Sequence, residues 1–398
     1  MKDESKILTL SLTAAAAAAA VPAVIGVLKN LRPQPLAACD RLHAENAGFA
    51  DANGDPVALH AVALPDAPAA FLRDGEDCPP EEAEPALVKR FGAYGAKQLL
   101  QAERFGAVSD ADLKTLRGMG VNCVQLPLRS DRLCKKANAR DDIDFTALDA
   151  LVERCRAACV YVLPVLTALP PALLQNNKAG FEARNAVLRQ CLQIAAHYKN
   201  EPAVAGYGLL DPAALPGLDR EDAPALLQKF CCRLVKTLRE TDPDCLLFLP
   251  VAGDPAIDLT GCGENIAAAA VCRALSPAGR EALARALPDS LPCFVTVSGR
   301  DDPAGALAAF ADRGGLCFAG FFGERGCLYA SFTGDAPDLV RDDYKTLTQK
   351  CGAAMSSANL QANAALCSVM KEIFGGAIET PKPRTSVRFG LPKLEDAE

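Results

Sequence analysis

The chain has 398 residues, of which half are hydrophobic and 23% are charged, proportions typical of a globular protein with a sizeable core. Its net charge of −7 lacks the basic character that nucleic-acid binding requires, which excludes this class of partner. The sequence has no Trp, and its three histidines, His43, His60 and His197, are too scattered for a histidine relay or an imidazole zinc site. We therefore predict no metal and no cofactor.

The N-terminal part is dominated by residues 7–28, 22 uncharged and mainly apolar positions with the sequence ILTLSLTAAAAAAAVPAVIGVL. As a helix this segment would be about 33 Å long, enough to cross a bilayer. It is either a transmembrane anchor, which its length favours, or a cleaved signal peptide. Residues 1–6 would then be cytoplasmic or the n-region of the signal. Lysine and arginine flank the segment on both sides, so charge does not set its orientation.

A linker, residues 29–38, leads into a predicted barrel domain over residues 39–375, and residues 376–398 are predicted to form an irregular tail. At the start of the domain, Asn53 and Gly54 separate two short apolar runs and predict a hairpin turn. Eight apolar runs then alternate with segments of helical period: ALHAVAL, NCVQLPL, YVLPVLT, VAGYGLL, DCLLFLPV, NIAAAAV, PCFVTVSG and GLCFAGFF. This alternation predicts an α/β fold, a closed (β/α)8 TIM barrel.

Helix starts can be placed in several of these segments. Ser109 and Asp110 precede ADLKTLRGMG, in which Leu113 and Leu116 recur at helical spacing. The first strand-to-helix connection, residues 65–108, is long and contains GEDCPPEEAEP. It is either a solvated acidic insertion, the favoured interpretation, or a loop at the face where barrel sites occur.

The 17 cysteines include no Cys-x-x-Cys pair, which excludes zinc-ribbon and thioredoxin-like motifs. Most lie where a small apolar residue would fit, and free cysteine behaves as a small hydrophobe. We therefore expect cysteines that pack as buried side chains, with disulfides left open.

Several sequence segments along the chain resemble those of glycoside hydrolase family 5, the cellulase-like retaining β-glycosidases. The resemblance covers residues 48–348 and depends on the order of GFADANGDPVALHAV, ERFGAVSDADLKTLRGMGVNCVQLPL, DFTALDALVERCRAACVYVLPVL, IAAHYKNEPAVAGYGLLDP and TLRETDPDCLLFLP. It implies a TIM barrel that uses two carboxyl groups at the carboxyl ends of its strands, one as acid/base and the other as nucleophile.

The positions that match the family's catalytic residues are altered. Asp211 stands at the acid/base position, with Leu210 in place of the preceding Asn, and Val297 stands at the nucleophile position. Four further positions match sugar-binding residues but carry other side chains: Gln125 for an Arg, Thr167 for a His, Arg273 in place of the His of a His-x-Tyr phrase, and Phe322 for a Trp. The resemblance therefore implies a glycosidase scaffold with degenerate catalytic positions.

The sequence leaves two further roles open for Asp211. FFGERG places Glu324 after the eighth strand, where it and Asp211 could form an inverting pair about 6.5–9.5 Å apart. Asp211 could instead be a turn residue that caps backbone amides before Pro212.

We expect a membrane-anchored, extracytoplasmic domain that has lost glycoside hydrolysis and serves as a binding or scaffold module. Its partner would be a β-linked glycan or a cell-surface protein. The alternative is an active hydrolase that uses Asp211 and Glu324, and a cleaved signal would make the protein secreted.

Overall fold

The computed structural model describes residues 39–64, 80–106, 108–133, 143–251, 258–273, 276–298, 302–320, 328–332, 337–354 and 360–375, all within the unit Cys39–Glu379. The predicted anchor or signal segment, residues 7–28, and the predicted tail, residues 376–398, lie outside these ranges. Within them, no helix combines the length and the apolar character needed to cross a membrane.

A small antiparallel sheet precedes the barrel. Its strands are β1 (His43–Glu45), β2 (Gly48–Ala50) and β3 (Pro56–Val57), with β2 in the centre. The Asp51 carbonyl accepts a hydrogen bond from Gly54 N at 3.0 Å, and Gly54 has a φ of 82°, in the region that favours glycine. The hairpin predicted at Asn53 and Gly54 is confirmed.

Eight parallel strands form the closed barrel, and each of the eight apolar runs supplies one of them. In chain order they are β4 (Leu59–Ala63), β5 (Cys123–Arg129), β6 (Tyr161–Thr167), β7 (Tyr207–Gly208), β8 (Leu247–Pro250), β9 (Ile266–Arg273), β10 (Cys293–Ser298) and β11 (Gly315–Phe318). The barrel closes where β11 pairs with β4, with Gly315 opposite Leu59. The predicted parallel barrel is confirmed.

The helices cover the outside of the barrel or extend from it. They are α1 (Pro80–Gly106), α2 (Asp110–Arg117), α3 (Ser130–Leu133), α4 (Thr146–Ala157), α5 (Lys178–Tyr198), α6 (Ala223–Thr241), α7 (Pro277–Ala286), α8 (Pro303–Ala308), α9 (Tyr344–Ala354) and α10 (Ala364–Ile373). At the start of α2, the Ser109 side chain accepts from Asp112 N and the Asp112 carboxylate accepts from Ser109 N. This capping box explains why the helix begins where the sequence predicts.

The first strand-to-helix connection contains more than an acidic insertion. Residues 65–79 lie outside the described part of the chain, but α1 follows and packs against α9. The contact buries a second apolar cluster, separate from the barrel core, formed by Leu87, Ala96, Leu99, Leu339, Leu347 and Cys351. A short antiparallel pair, β12 (Tyr329–Phe332) and β13 (Leu360–Ala362), flanks α9 in the sequence.

Three aromatic rings close the amino end of the barrel. The centroid of the Phe248 ring lies 5.7 Å from that of Phe49, which comes from β2, and 5.4 Å from that of Phe294. A Cβ atom at Gly315 would lie 2.5 Å from the Phe294 ring, so only glycine fits beside this plug. The plug leaves the carboxyl ends of the strands as the open end of the barrel.

The described cysteines are mostly core residues. All 14 carry free thiols and 11 of them are buried, which confirms the packing interpretation for the majority.

Candidate functional site

A pocket of about 280 Å³ lies at the carboxyl ends of the barrel strands, the end that carries the active site in TIM-barrel enzymes. Its described lining consists of Ala63, Leu64, Gln125, Pro127, Thr167, Asp211, Ala213, Val271, Arg273, Thr296, Ser298, Ala319 and Gly320. Four of the six site residues predicted from the sequence are therefore brought together: Gln125, Thr167, Asp211 and Arg273.

Asp211 has two roles that can be seen directly. Its carboxylate accepts a hydrogen bond from Ala213 N at 2.9 Å and caps the short 3-10 helix Pro212–Ala214. This contact is the one expected of a turn residue before proline. Its main-chain N–H donates to the Leu166 carbonyl at 2.9 Å, which joins the turn after β7 to β6. The same residue lines the pocket, so the turn interpretation is confirmed without removing the carboxyl group from the site.

Arg273 binds the same turn through a carbonyl group. It ends β9, and its Nη2 donates to the Ala213 carbonyl at 2.5 Å. The guanidinium and the Asp211 carboxylate therefore bind the same residue, Ala213, the first at its carbonyl and the second at its N–H. A positive charge and a negative charge thus meet the same three-residue turn at the edge of the pocket.

Neutral polar side chains line part of the pocket, beside apolar ones. The Thr296 hydroxyl on β10 donates to Gln125 Oε1 on β5 at 3.0 Å, so the bond spans two strands that are not neighbours in the barrel. Thr167 lies at the carboxyl end of β6 and is 5% exposed. These hydroxyl and amide groups can donate and accept hydrogen bonds, as the hydroxyl groups of a neutral ligand require.

The structure differs from the sequence match at β10. Successive side chains of a strand point to opposite faces, and Thr296 and Ser298 line the pocket. Val297 between them is fully buried and faces the surrounding helices. A nucleophile at this position could therefore not act in the pocket at the carboxyl ends of the strands, the mouth of the barrel. Sequence reasoning missed Thr296 and Ser298, although the two-residue alternation in PCFVTVSG would have identified them.

Cys317 lies beneath the pocket on β11, opposite Thr296 in the sheet register. Its side chain is fully buried, and burial raises the pKa of the thiol well above its usual range. The group stays a neutral thiol and is a poor nucleophile, since the thiolate is the reactive form.

The two remaining predicted site residues, Phe322 and Glu324, lie outside the described ranges, so their roles stay predictions. Among the pocket residues that the structure does describe, Asp211 is the one carboxylate. The described residues also contain no cluster of three or more histidine, cysteine or acidic side chains that could hold a metal ion.

The three histidines lie away from the pocket. The His60 ring stacks on Phe374 with centroids 4.5 Å apart, which places it between strand and helix, and burial lowers its pKa. His197 Nε2 lies 2.8 Å from Asp149 Oδ1 on the surface of α5. His43 belongs to β1 and pairs with Glu45 at 3.7 Å.

A larger groove of about 1000 Å³ lies at the amino end, between α6 and the residues that precede β9. Its arginines serve the fold: Arg239 donates to the carbonyls of Cys245, Glu264 and Asn265. The groove lies at the amino ends of the strands, whereas TIM-barrel active sites lie at the carboxyl ends, so the groove is excluded as the candidate catalytic pocket.

No protein-family model matches the sequence, and no curated protein matches it. The fold, in contrast, matches solved endoglucanase structures. A variant catalytic domain of Thermobifida fusca endoglucanase Cel5A, in complex with cellotetraose, has a TM-score of 0.54 at 15% identity over 85% of this chain and 99% of that chain. The catalytic domain of the major endoglucanase from Xanthomonas campestris pv. campestris has a TM-score of 0.50 at 12% identity over 84% of this chain and 99% of that chain.

At these identities the likeness concerns the fold. It confirms the predicted resemblance to the barrel of family 5 cellulase catalytic domains. The degenerate catalytic positions stay a prediction.

Proposed function

We propose that this protein is a membrane-anchored, extracytoplasmic barrel that binds a β-linked glycan at the carboxyl ends of its strands without hydrolysing it. The observation that carries the proposal is the described lining of the pocket, in which a single carboxylate lies with one guanidinium and several neutral polar groups. The protein then acts as a binding or scaffold module on a glycosidase-like barrel.

The chemistry of glycoside hydrolysis explains why one carboxylate is too few. Retaining enzymes use two carboxyl groups about 5–5.5 Å apart, and inverting enzymes use two about 6.5–9.5 Å apart. Asp211 is engaged as a helix cap, and the pocket-facing residues of β10 are Thr296 and Ser298. Neither hydroxyl residue has a histidine beside it in the described lining to act as its base.

The size of the pocket limits the ligand. A volume of about 280 Å³ lies just below the range of about 300–1,000 Å³ typical of small-molecule sites. It suits one sugar ring better than a buried chain, with Gln125, Thr167 and Ser298 able to bond hydroxyl groups. Cellotetraose in the Thermobifida fusca endoglucanase structure supports a β-linked glucan as the first ligand to test.

The second candidate is an active inverting hydrolase with Asp211 as acid and Glu324 as base. It is favoured by one observation, that the pocket lining includes both Asp211 and Gly320, after which the chain continues toward Glu324.

Glycan binding and hydrolysis are measured on the same full-length protein in detergent. Calorimetry with cellotetraose tests binding, and release of reducing ends tests hydrolysis. We expect binding that Ser298→Ala and Thr296→Val weaken about tenfold or less, as loss of one neutral hydrogen bond implies, and no hydrolysis. Thr348→Ala, on α9 outside the pocket, is the matched control.

Hydrolysis that Asp211→Asn and Glu324→Gln each abolish would establish the second candidate. Absence of both binding and hydrolysis, with a cell-surface protein recovered instead, would contradict the glycan as partner.

Location is tested with protease added to intact cells. An extracytoplasmic barrel joined to the membrane through residues 7–28 and the linker is expected to be cut free while cytoplasmic markers survive. Protection until lysis would contradict the orientation, and a soluble form lacking the N-terminal segment would support a cleaved signal.

A further inference from the structure

Two thiols meet in the groove at the amino end of the barrel. Cys232 lies on α6, and Cys262 ends the 3-10 helix Thr260–Cys262, a few residues before β9. Their Sγ atoms are 2.8 Å apart, and both residues line the groove. In a disulfide the sulfur atoms are about 2.05 Å apart, so a small side-chain movement brings the pair to bonding distance.

Both sulfurs are carried by ordered elements. Cys232 belongs to a helix of 19 residues whose opposite face is in the barrel core through Leu227, Leu234 and Leu238. Cys262 follows Leu259, which is 3% exposed, and its own N–H donates to the Leu259 carbonyl at 2.9 Å. The contact is therefore fixed by packing on both sides of the pair.

We propose that Cys232 and Cys262 form a disulfide that fastens α6 to the segment before β9 when the protein meets a disulfide oxidant such as oxidised glutathione. The bond is a modification site separate from the pocket at the carboxyl end. It does not depend on the proposed glycan binding.

The reaction is balanced as two thiol–disulfide exchanges. The Cys232 thiol gives its proton to solvent, and the resulting thiolate attacks one sulfur of oxidised glutathione; the glutathione S–S bond breaks, and the thiolate that leaves takes up a proton from solvent. The Cys262 thiol likewise gives its proton to solvent, and its thiolate attacks the Cys232 sulfur of the mixed disulfide, breaks that S–S bond and expels the second glutathione thiolate, which takes up a proton. Two protein thiols are oxidised to one disulfide, and one oxidised glutathione is reduced to two molecules of the thiol.

The order of these steps follows from exposure. Cys232 is half-buried and opens onto the groove, whereas Cys262 is 6% exposed. Burial, together with the neighbouring Cys232, raises the pKa of Cys262 to about 12. Cys232 is therefore the first to meet a dissolved oxidant, and Cys262 resolves the mixed disulfide once the two sulfurs are held together.

Neighbouring cysteines provide the alternatives that an experiment must separate. Cys231 precedes Cys232 but is fully buried, and Cys245 lies in contact with the Arg239 side chain at 3.0 Å. The structure assigns the bond to the half-buried member of the Cys231–Cys232 pair, because that side chain faces the groove.

The full chain in detergent is incubated with oxidised glutathione, its remaining thiols are blocked, and it is digested with trypsin without reduction. Residues 230–233, FCCR, and residues 240–273 are separate tryptic peptides, so the proposed bond joins them. We expect the linked peptide in the native sequence and in Cys231→Ala, and its loss in Cys232→Ser and in Cys262→Ser. Reduction should lower the midpoint of thermal unfolding by about 5 °C, because the bond closes a loop of 30 residues.

Absence of the linked peptide in the oxidised native sequence would overturn the proposal, and this result needs no variant that has to fold. Persistence of the link in Cys232→Ser would assign it to Cys231, and persistence in Cys262→Ser would assign it to Cys245 or Cys272, and either result would also overturn it. Cys367→Ser, a half-buried cysteine on α10, is the control for a general effect of replacing a thiol.

Discussion

The two ends of the barrel are built from the same eight strands but differ in what their inward side chains do. At the amino end, Phe248 and Phe294 from two barrel strands, together with Phe49 from β2, fill the barrel and are each no more than 2% exposed. At the carboxyl end, Thr296 and Ser298 line an open pocket. On β10 alone the inward positions change from Phe294 to Thr296 to Ser298, from an aromatic plug to two hydroxyl groups.

This difference separates stability from binding along one axis. The aromatic plug removes apolar surface from water and fixes the barrel, so the strand ends at the other side can carry polar groups that contribute little to folding. The comparison predicts that substitutions at the amino end change stability, whereas similar substitutions at the carboxyl end change ligand binding.

The largest effect is expected at the plug. Phe248→Ala removes a ring that contacts both other aromatics, and we expect the free energy of unfolding to fall by about 3–5 kcal/mol. Urea denaturation followed by circular dichroism measures the change. Ser298→Ala is the matched comparison at the other end, with an expected change within about 0.5 kcal/mol. Equal losses in the two variants would show that the ends do not divide these roles.

A smaller effect is expected for the buried acid at the amino end. Asp242 follows α6, is 2% exposed, and accepts hydrogen bonds from Arg41 and from the Tyr207 hydroxyl at 3.3 Å. Asp242→Asn keeps the shape but removes the charge, and we expect a loss of about 1–2 kcal/mol because Arg41 is partly in solvent.

Asp289→Asn is the control for this change. Asp289 pairs with Arg313 at 3.5 Å, and its side chain is 96% exposed, so its removal should change stability by less than about 0.5 kcal/mol. The free energy of unfolding at one pH and one salt concentration compares the two variants. A larger loss for Asp289→Asn would contradict the importance of burial here.

At the carboxyl end, Thr296→Val tests the hydrogen bond that crosses the mouth. The variant keeps the volume of the side chain and removes the donor to Gln125 Oε1, and we expect a loss of about 1 kcal/mol. Glycan binding is measured on the same variant. We expect it to be weaker than in the native sequence, although the free energy of unfolding falls only slightly. If the free energy of unfolding fell as much as in Phe248→Ala, the mouth would belong to the stabilising core, and the comparison of the two ends would be wrong.

The smallest change in the free energy of unfolding is expected when the pH is lowered. Burial lowers the pKa of His60 below its usual value of about 6.5, so the folded state favours the neutral ring. Stability is then complete above pH 6.5 and decreases as the pH falls through this value toward the folded pKa, because the unfolded chain binds the proton more readily. Unfolding at pH 7 and pH 5 measures this, and His60→Phe should reduce the decrease while retaining the contact with Phe374. An unchanged pH dependence in the variant would assign the acid sensitivity to other groups.

The barrel could be predicted from the sequence because its signals are local. Each apolar run is as long as one strand, and the runs alternate with segments of helical period, as in NCVQLPL for β5 and the Ser109 cap for α2. The packing of α1 on α9 could not be predicted in this way. Leu87 and Leu347 meet across 260 positions, and neither local pattern specifies the other.

The site was predicted in part, from a family resemblance and not from local signals. Gln125, Thr167, Asp211 and Arg273 were identified because they match site positions of the family that the sequence resembles, and the barrel brings them together in one pocket. At β10 the match to the family motif identified Val297 as the nucleophile position. Side chains alternate along a strand, however, so Thr296 and Ser298 face the pocket and Val297 does not. The thiol pair was not predicted, because Cys232 and Cys262 come together through packing of a helix against a turn.

The inward position of Ser298 has an evolutionary consequence. It is the last residue of β10 and already faces the pocket that holds the Asp211 carboxylate. The Ser298→Glu substitution would place a second acid in the mouth without altering the direction of any strand. Selection for glycosidase activity in the laboratory can therefore begin at this codon, because a change in one side chain supplies the second acid.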